Sequence, residues 1–455
     1  MKTINYLRLS SMMMLVFLTN LLMAQPAVQY FRPYDQRGIN MFETTKDDTT
    51  AYDGFKFRIG AGFAQQYQNL KHENDYSPSG ENTNRLYDLT RGTNLAMANL
   101  NMDVQLADGL RLNLVSYMSS RHHNEFWVKG GYFQIDKVGF LNNELFDKLW
   151  KNLTLKVGHM EINYGDAHFR RSDGGHTLWN PFIENNIIDA FTTEIGAELY
   201  WQKNGFIVMG GLTDGEIQGS VTRKDDRKPS IYGKLGYDKQ LNEDLRVRLT
   251  GSMYTTKSSI NNTLYGGDRT GSHYYYVMEP VTATLTANYT SGRVNPGFRD
   301  NVTAFVVNPF VKFQGFELFG TYEVAKGNTA VENGEIQSTN PAAPALSKQD
   351  EREFTQLAVD ALYRFANDRL YVGAKYNTVN GTLAFGQSTT QPNINQGTRA
   401  DVTVDRTAIA AGWFITRNVL LKAEYVTQSY KDYPGTNILS NGKFNGWVLE
   451  GVIGF

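Results

Sequence analysis

The side chains able to do chemistry in this chain are mostly charges set singly between apolar residues, at a spacing of two. Arg111 stands between Leu110 and Leu112, Lys156 between Leu155 and Val157, and Arg246 and Arg248 alternate with Leu245, Val247 and Leu249. Arg58, Lys422 and the acids Glu194 and Glu198 are placed in the same way. In an extended strand successive side chains point to opposite faces, so these charges share one face and the apolar residues the other. Such a face can act on dissolved ions through its fixed charge. It can equally pair its charges across neighbouring strands with no further role. A second group stands outside any alternating run: Arg170 and Arg171 beside Asp173, followed by Trp179, Asn180, Pro181 and Phe182. A guanidinium there could hold an anion, with Asp173 orienting it through a charge-assisted hydrogen bond. The bland counterpart is that both arginines pair with carboxylates such as Glu194 or Glu198.

Signals of catalysis are missing from this pattern. There is no G-x-S-x-G, no H-E-x-x-H and no phosphate-cradling glycine loop. The chain has no Cys, which removes disulfides, thiolate metal sites, a Cys nucleophile and a lipidated Cys. His122 and His123 are adjacent and would point apart in an extended link, so they do not read as a metal pair. The pairs Asp47-Asp48, Asp225-Asp226 and Asn261-Asn262 lack the spacing of a calcium loop and read as solvated loop charge. No catalytic residue, metal or cofactor is expected, and the chain reads as a non-enzyme. A hydrolase site assembled across strands, without a motif, is the alternative of a different class. With 45 basic against 46 acidic side chains, a nucleic-acid partner is not expected either.

The elements that carry these charges follow from export and periodicity. Lys2 and Arg8 precede the apolar run Ser11 to Met23, and Leu22-Met23-Ala24 offers a small residue before Gln25. This reads as a signal peptide over 1–24, since the run is short of the roughly 20 apolar residues that span a bilayer. Residues 25–53 are polar with scattered aromatics (Tyr30, Phe31, Tyr34, Phe42) and read as a periplasmic or lumen-lying leader. From residue 54 to 455 the period is two. Ala96, Ala98, Leu100, Met102, Val104 and Leu106 alternate with Met97, Asn99, Asn101, Asp103 and Gln105, and Leu370, Val372, Ala374 and Tyr376 with Tyr371, Gly373 and Lys375. Mean hydropathy is −0.42, as for a soluble protein. An average hides a wall with one apolar and one polar face.

The connections fall into two classes. Short turn-forming links are Ala107-Asp108-Gly109, Lys203-Asn204-Gly205, Gln240 to Asp244, Gln314-Gly315, Ala366-Asn367-Asp368 and Thr416-Arg417-Asn418. Long polar loops lie at 70–91, 164–189, 257–301, 326–352 and 381–403. The expectation is an all-β protein, a transmembrane antiparallel β-barrel of sixteen strands with short periplasmic turns and long external loops in the bacterial outer membrane. The stretch 281–292 alternates as well, and eighteen strands is the alternative count if it and a further strand are included. The strands running toward the short turns end in Trp201, Tyr237, Phe313, Phe365, Trp413 and Phe455, a set suited to the lipid headgroup level. The final run, Trp447 to Phe455, alternates and stops on Phe455. It resembles the C-terminal signal read by the barrel-assembly machinery.

Asn152 to Tyr164 (NLTLKVGHMEINY), the following Gly165 to Asp173, and Asn180-Pro181-Phe182 before the strand Phe191 to Trp201 together resemble the phosphate-selective (O/P-type) porin superfamily. The resemblance extends over nearly the whole chain after residue 24. It implies a trimer of sixteen-stranded channels in outer-membrane lipid, passing small hydrophilic solutes or anions past lumen arginines and lysines. It also implies that loop 164–189 folds inward and narrows the lumen at Arg170 and Arg171. The lumen shows no strong lysine excess, which departs from a phosphate pore. The reading set against a porin is a non-conducting barrel that serves as a secretion or surface-complex partner.

Overall fold

The computed structural model describes residues 25–76, 85–94, 96–118, 126–172, 177–215, 228–257, 261–268, 274–284, 286–329, 332–333, 348–385, 394–395 and 399–455. Sixteen wall strands form one closed sheet, to which the two-residue strand Gly92–Thr93 adds a pairing opposite Tyr67 and Gln68. They are β1 (Lys56–Glu73), β2 (Met97–Ala107), β3 (Leu110–Met118), β4 (Trp127–Ile135), β5 (Leu153–Glu161), β6 (Thr193–Lys203), β7 (Phe206–Thr213) and β8 (Ser230–Gln240). The second half is β9 (Leu245–Thr256), β10 (Asn301–Phe313), β11 (Phe316–Asn328), β12 (Arg352–Phe365), β13 (Leu370–Thr382), β14 (Asp401–Thr416), β15 (Val419–Lys431) and β16 (Lys443–Gly454). Each strand pairs antiparallel with the next, and β16 pairs with β1, Gly62 opposite Gly454 and Asn69 opposite Trp447. Closure leaves no sheet edge, so every ladder hydrogen bond is made within the wall. The described residues of 281–292 form turns and no strand, so the count is sixteen.

Turn chemistry sets the register at the short-turn end. Asn204 and Gly205 take φ of 54° and 89°, the paired left-handed geometry that lets a two-residue turn follow the twist of β6 and β7. One proline interrupts the wall. Pro309 of β10 breaks the pairing with β11 between Val307 and Phe310, because it has no N–H to give. The Asn308 amide fills the gap by donating to the Gly320 carbonyl and to Thr321, both at 3.0 Å.

The two faces of the wall are opposite in character to those of a soluble barrel. Outward residues include Phe57, Ile59, Leu199, Leu235, Leu249, Phe305, Ile409 and Leu449, all exposed. Among the described residues no helix is long and apolar enough to cross a membrane; the apolar outer face belongs to the strands. A closed barrel with this apolar outer face is an outer-membrane barrel, set in outer-membrane lipid. Trp201, Phe313, Phe365, Trp413 and Phe455 are exposed at the ends of their strands, while Tyr237 is half-buried, 5.0 Å from the ring of Phe206.

The inner face differs around the circumference. On β2 to β5 it carries Asn99, Asn101, Asp103, Gln105, Arg111, Asn113, Gln134 and Lys156. On β10 and β14 to β16 it presents Val302, Ala304, Val306, Val402, Val404, Ala408, Ala410, Phe414, Leu420, Val426, Val448 and Val452, all buried. An apolar inner face implies something packed on it. The connection 162–192 supplies Leu178, Phe182, Ile183, Ile187 and Ile188 to the same core. Each such fully buried side chain favours docking by about 1.5–3 kcal/mol.

One short-side connection is not a tight turn. Between β4 and β5 the chain forms α1 (Glu144–Trp150), whose first turn is capped by the Asn143 side chain accepting from the amides of Leu145 and Phe146.

Candidate functional site

Among the described residues, three segments stacked along the barrel occupy the lumen. At the short-turn end lies the segment 25–53. Gln29 donates to Asp108 (2.9 Å), Tyr34 to Asp103 (2.8 Å) and Asn40 to Glu317 (2.7 Å), while the Gln36 amide donates to the Arg417 carbonyl (2.9 Å). Lys46 caps the carbonyls of Asp136 and Leu153, each at 2.7 Å. The second segment, 162–192, crosses to the far wall. The amides of Ile183, Ile187 and Ile188 donate to Glu424, Asn377 and Gln356 at 2.8, 2.6 and 2.9 Å. Lys422 gathers the carbonyls of Thr177 and Phe182 (3.0 and 3.1 Å) while pairing with Glu450 at 2.6 Å. The third segment lies within 261–300 at the external mouth, where Arg293 pairs with Glu184 and Asp189 and the Tyr265 hydroxyl donates to Glu323 (2.6 Å). There burial raises the Glu279 carboxyl to about 7, against the opposing effect of hydrogen bonds from Ser291 and Asn288.

Where the first two segments meet the wall, a charge network forms. Arg248 reaches Asp166 at 2.8 Å, Glu43 at 2.7 Å and Asp238 at 3.0 Å; Lys234 reaches Asp166 at 2.9 Å and Glu43 at 3.2 Å. Arg246 pairs with Asp238 at 2.7 Å. Glu43 belongs to the leader, Asp166 to the inward connection and the cations to β8 and β9, so one network ties both segments to the barrel. Such buried charges hold position only while every partner is present.

The residues singled out by sequence therefore divide. Arg58 is half-buried, 4.8 Å from the Phe31 ring, and Arg111 is paired with Asp103 at 2.7 Å. Arg246, Arg248 and Lys422 are paired as above. Glu198 accepts from the Asn163 amide (2.7 Å), from Tyr232 (3.0 Å) and from Tyr200; Glu194 accepts from Tyr254 (2.7 Å) and Thr213. Trp447 faces outward beside Tyr425, and Phe455 exchanges both backbone hydrogen bonds with Ala61 at 3.0 Å. Asp173, His122, His123, Asp225 and Asp226 lie outside the described residues.

Arg170 and Arg171 are both buried. Arg171 is tied to Asp189 of its own segment. Arg170 approaches Asp360 only to 3.9 Å, lies 4.6 Å from the Phe319 ring, and its three guanidinium nitrogens meet no hydrogen-bond acceptor among the described residues. Lys375 stands 3.6 Å from the other oxygen of Asp360. Both cations line a void of about 30 Å³, room for a water molecule or two.

More room is left along the polar wall. A cavity of about 200 Å³ runs between the leader and β2 to β6, lined by Arg32, Arg111, Lys129 and Lys156 against Glu43 and Glu161. Arg111 and Lys129 are engaged by Asp103 and Asp268 (2.9 Å). Lys156 has no ion pair or hydrogen bond among the described residues, and its ammonium lies 5.0 and 5.4 Å from the rings of Tyr200 and Tyr132. Arg32, of the leader, stacks 3.6 Å above Trp179 of the inward segment and closes the cavity on that side. A vestibule of about 770 Å³ opens at the short-turn end, between the leader and Arg58, Arg417 and Phe455. Sequence singled out Lys156 but not Arg32, whose place is set by a stack between two segments distant in the chain.

Compared by sequence, the chain matches no protein-family profile and no curated protein. Compared by structure, it is similar to an anion-selective porin from Comamonas acidovorans at 10% identity, covering 88% of this chain and 100% of that one, with a TM-score of 0.49. It is similar to the outer membrane channel DcaP of Acinetobacter baumannii at 11% identity, covering 89% and 99%, with a TM-score of 0.47. OmpT, an outer membrane protein of Vibrio cholerae, is similar at 12% identity over 89% and 99%, with a TM-score of 0.46.

Proposed function

We propose that this protein is a porin-type channel that passes small hydrophilic solutes, with a weak preference for anions, along the polar side of its lumen. The observation that carries the reading is the cavity beside β2 to β6, where four cations face two carboxylates and Lys156 is left without a counter-charge among the described residues. A fixed, uncompensated ammonium in a narrow aqueous passage favours anions. Arg170 and Lys375, loosely held around Asp360, add to the same preference on the opposite side of the inward segment. The resemblance to phosphate-selective porins supports an anion-preferring channel more than a phosphate-binding one, because most lumen cations are already paired. The proposal includes cleavage after Ala24, assembly through Trp447 and Phe455 by the barrel-assembly machinery, and a homotrimer.

The test is conductance in a planar bilayer under a salt gradient. The wild-type reversal potential is expected on the anion side, and Lys156→Glu should move it toward cations. A channel with no anion preference, or one that Lys156→Glu leaves unchanged, removes the assignment. A second reading, the non-conducting barrel acting as a partner in secretion or a surface complex, is favoured by the three segments packed in the lumen. Absence of any conductance in wild type and in a leader-deleted variant would support it instead.

A further inference from the structure

The connection that carries α1 has no counterpart among the other short-side links. It emerges at the level of an outward aromatic. Leu153, which starts β5, stands opposite Trp201 of β6, and the Gln202 amide donates to the Asn152 carbonyl at 2.8 Å. The Trp150 indole donates to the carbonyl of Ile135, the last residue of β4, at 3.3 Å. Beyond these ties α1 touches little: no residue of it is buried, with Leu145 at 73% and Leu149 at 54% exposure, and Phe140 and Leu141 just before it are exposed too. At roughly 100° per residue, Leu145, Phe146, Leu149 and Trp150 fall on one side and Glu144, Asp147, Lys148 and Lys151 on the other.

An exposed apolar sector of this kind requires a cover. The neighbouring surface already has one, because the outward faces of β5 and β6 present Val157, Leu199 and Trp201 to lipid. α1 leaves the wall at the end of that band, where Trp150 is tied to Ile135 and Leu153 stands opposite Trp201, and its lysines suit the phosphate level of a lipid monolayer. We propose that α1 lies in the periplasmic leaflet as an interfacial foot, its apolar sector among the acyl chains and Lys148 and Lys151 at the phospholipid headgroups. Among the short-side connections this one alone carries a helix, and it fixes the barrel's depth on the β4–β5 side.

The absence of native Cys makes the test direct. Single Cys residues at Glu144, Leu145, Lys148 and Leu149 of the full barrel carry a nitroxide label after reconstitution into phospholipid vesicles. Collision rates with oxygen and with a water-soluble nickel chelate then report depth. The expected result is a ratio of oxygen to nickel collisions several-fold higher at Leu145 and Leu149 than at Glu144 and Lys148. Equal exposure to nickel at all four positions overturns the proposal. So does loss of both collision rates at Leu145 and Leu149, which would mean that a second copy or another protein covers the face. A label at Leu235, on the outer face of β8, serves as reference: if it too reads as aqueous, the barrel itself is not in lipid and the fault lies there.

Discussion

Glu198 and Glu323 each accept from two tyrosines, Tyr200 and Tyr232 in one case, Tyr164 and Tyr265 in the other. A hydroxyl satisfies a carboxylate's hydrogen bonding and leaves its charge in place, so these acids are held by hydroxyls where Asp103 and Glu450 are held by cations. That distinction was not legible in the sequence, where Glu194, Glu198 and Lys156 share one alternating pattern. The same limit applies to the arginine pair. Their place on an inward-folded connection is what the resemblance implies, but Asp189 and Asp360 as partners are not legible, because those contacts form only in the fold. The pair is therefore expected to separate on mutation. Arg170→Ala should shift the reversal potential toward cations with little change in stability. Arg171→Ala should leave selectivity near wild type and weaken the inward segment by about 1–3 kcal/mol, seen as earlier loss of the folded band on heating in a gel. At the external mouth Glu279 gives a pH effect. Its folded value of about 7 lies above the ordinary carboxyl range, so the folded state binds the proton more tightly. Stability of that loop is then highest at acid pH and falls as pH rises from the unfolded carboxyl value through about 7. Exchange of the Tyr87 amide, which donates to the Glu279 carbonyl at 2.8 Å, should quicken over that window. The rise should exceed the intrinsic base-catalysed increase of amide exchange, and Glu279→Gln should remove the excess.

At the scale of elements the strands were the legible part. Period-two alternation and turn pairs such as Asn204-Gly205 place sixteen strands within a few residues of their observed ends, because a wall between lipid and lumen forces the pattern on the chain. An even strand count favours a loop at 281–292 unless a second strand lies beside it, and the turns formed by its described residues agree with the loop. Two features escaped. The α1 connection carries its own signal, an Asn143 cap and apolar residues at one-and-four spacing, yet it is too brief to stand out from alternation. The break at Pro309 shows in the sequence as a proline inside a strand, but its repair by Asn308 does not. Asn308 also accepts from the Asp166 amide at 2.8 Å, so it joins the wall to the inward segment. Asn308→Ala should cost about 1–3 kcal/mol by leaving those groups unmet, and an added loosening of 162–192 should appear as faster proteolysis within it.

For the molecule as a whole, alternation reports which face a side chain takes but not what rests on that face. The apolar inner residues of β14 to β16 were visible as alternation; the segment that covers them left no period of its own. The same holds for residues 25–53, whose contacts with Asp103, Glu317 and Arg248 span the short-turn end. Deleting 27–50 is expected to raise single-channel conductance several-fold while the barrel still migrates as folded. Unchanged conductance would mean that the inward segment alone limits flow. The closing seam has a consequence for how the molecule is made. Gly62 must find Gly454, and Ala61 must find Phe455, across nearly the entire chain, a contact whose loop-closure entropy makes it slow and late. The Tyr34 carbonyl lies against Gly454 and the Gln36 amide bonds Arg417, so the leader spans the join itself. Until the first and last strands meet, the part of its docking surface that crosses the seam does not exist. Occlusion of the lumen is thereby placed after closure in the order of assembly, and a barrel arrested before closure would stand unplugged.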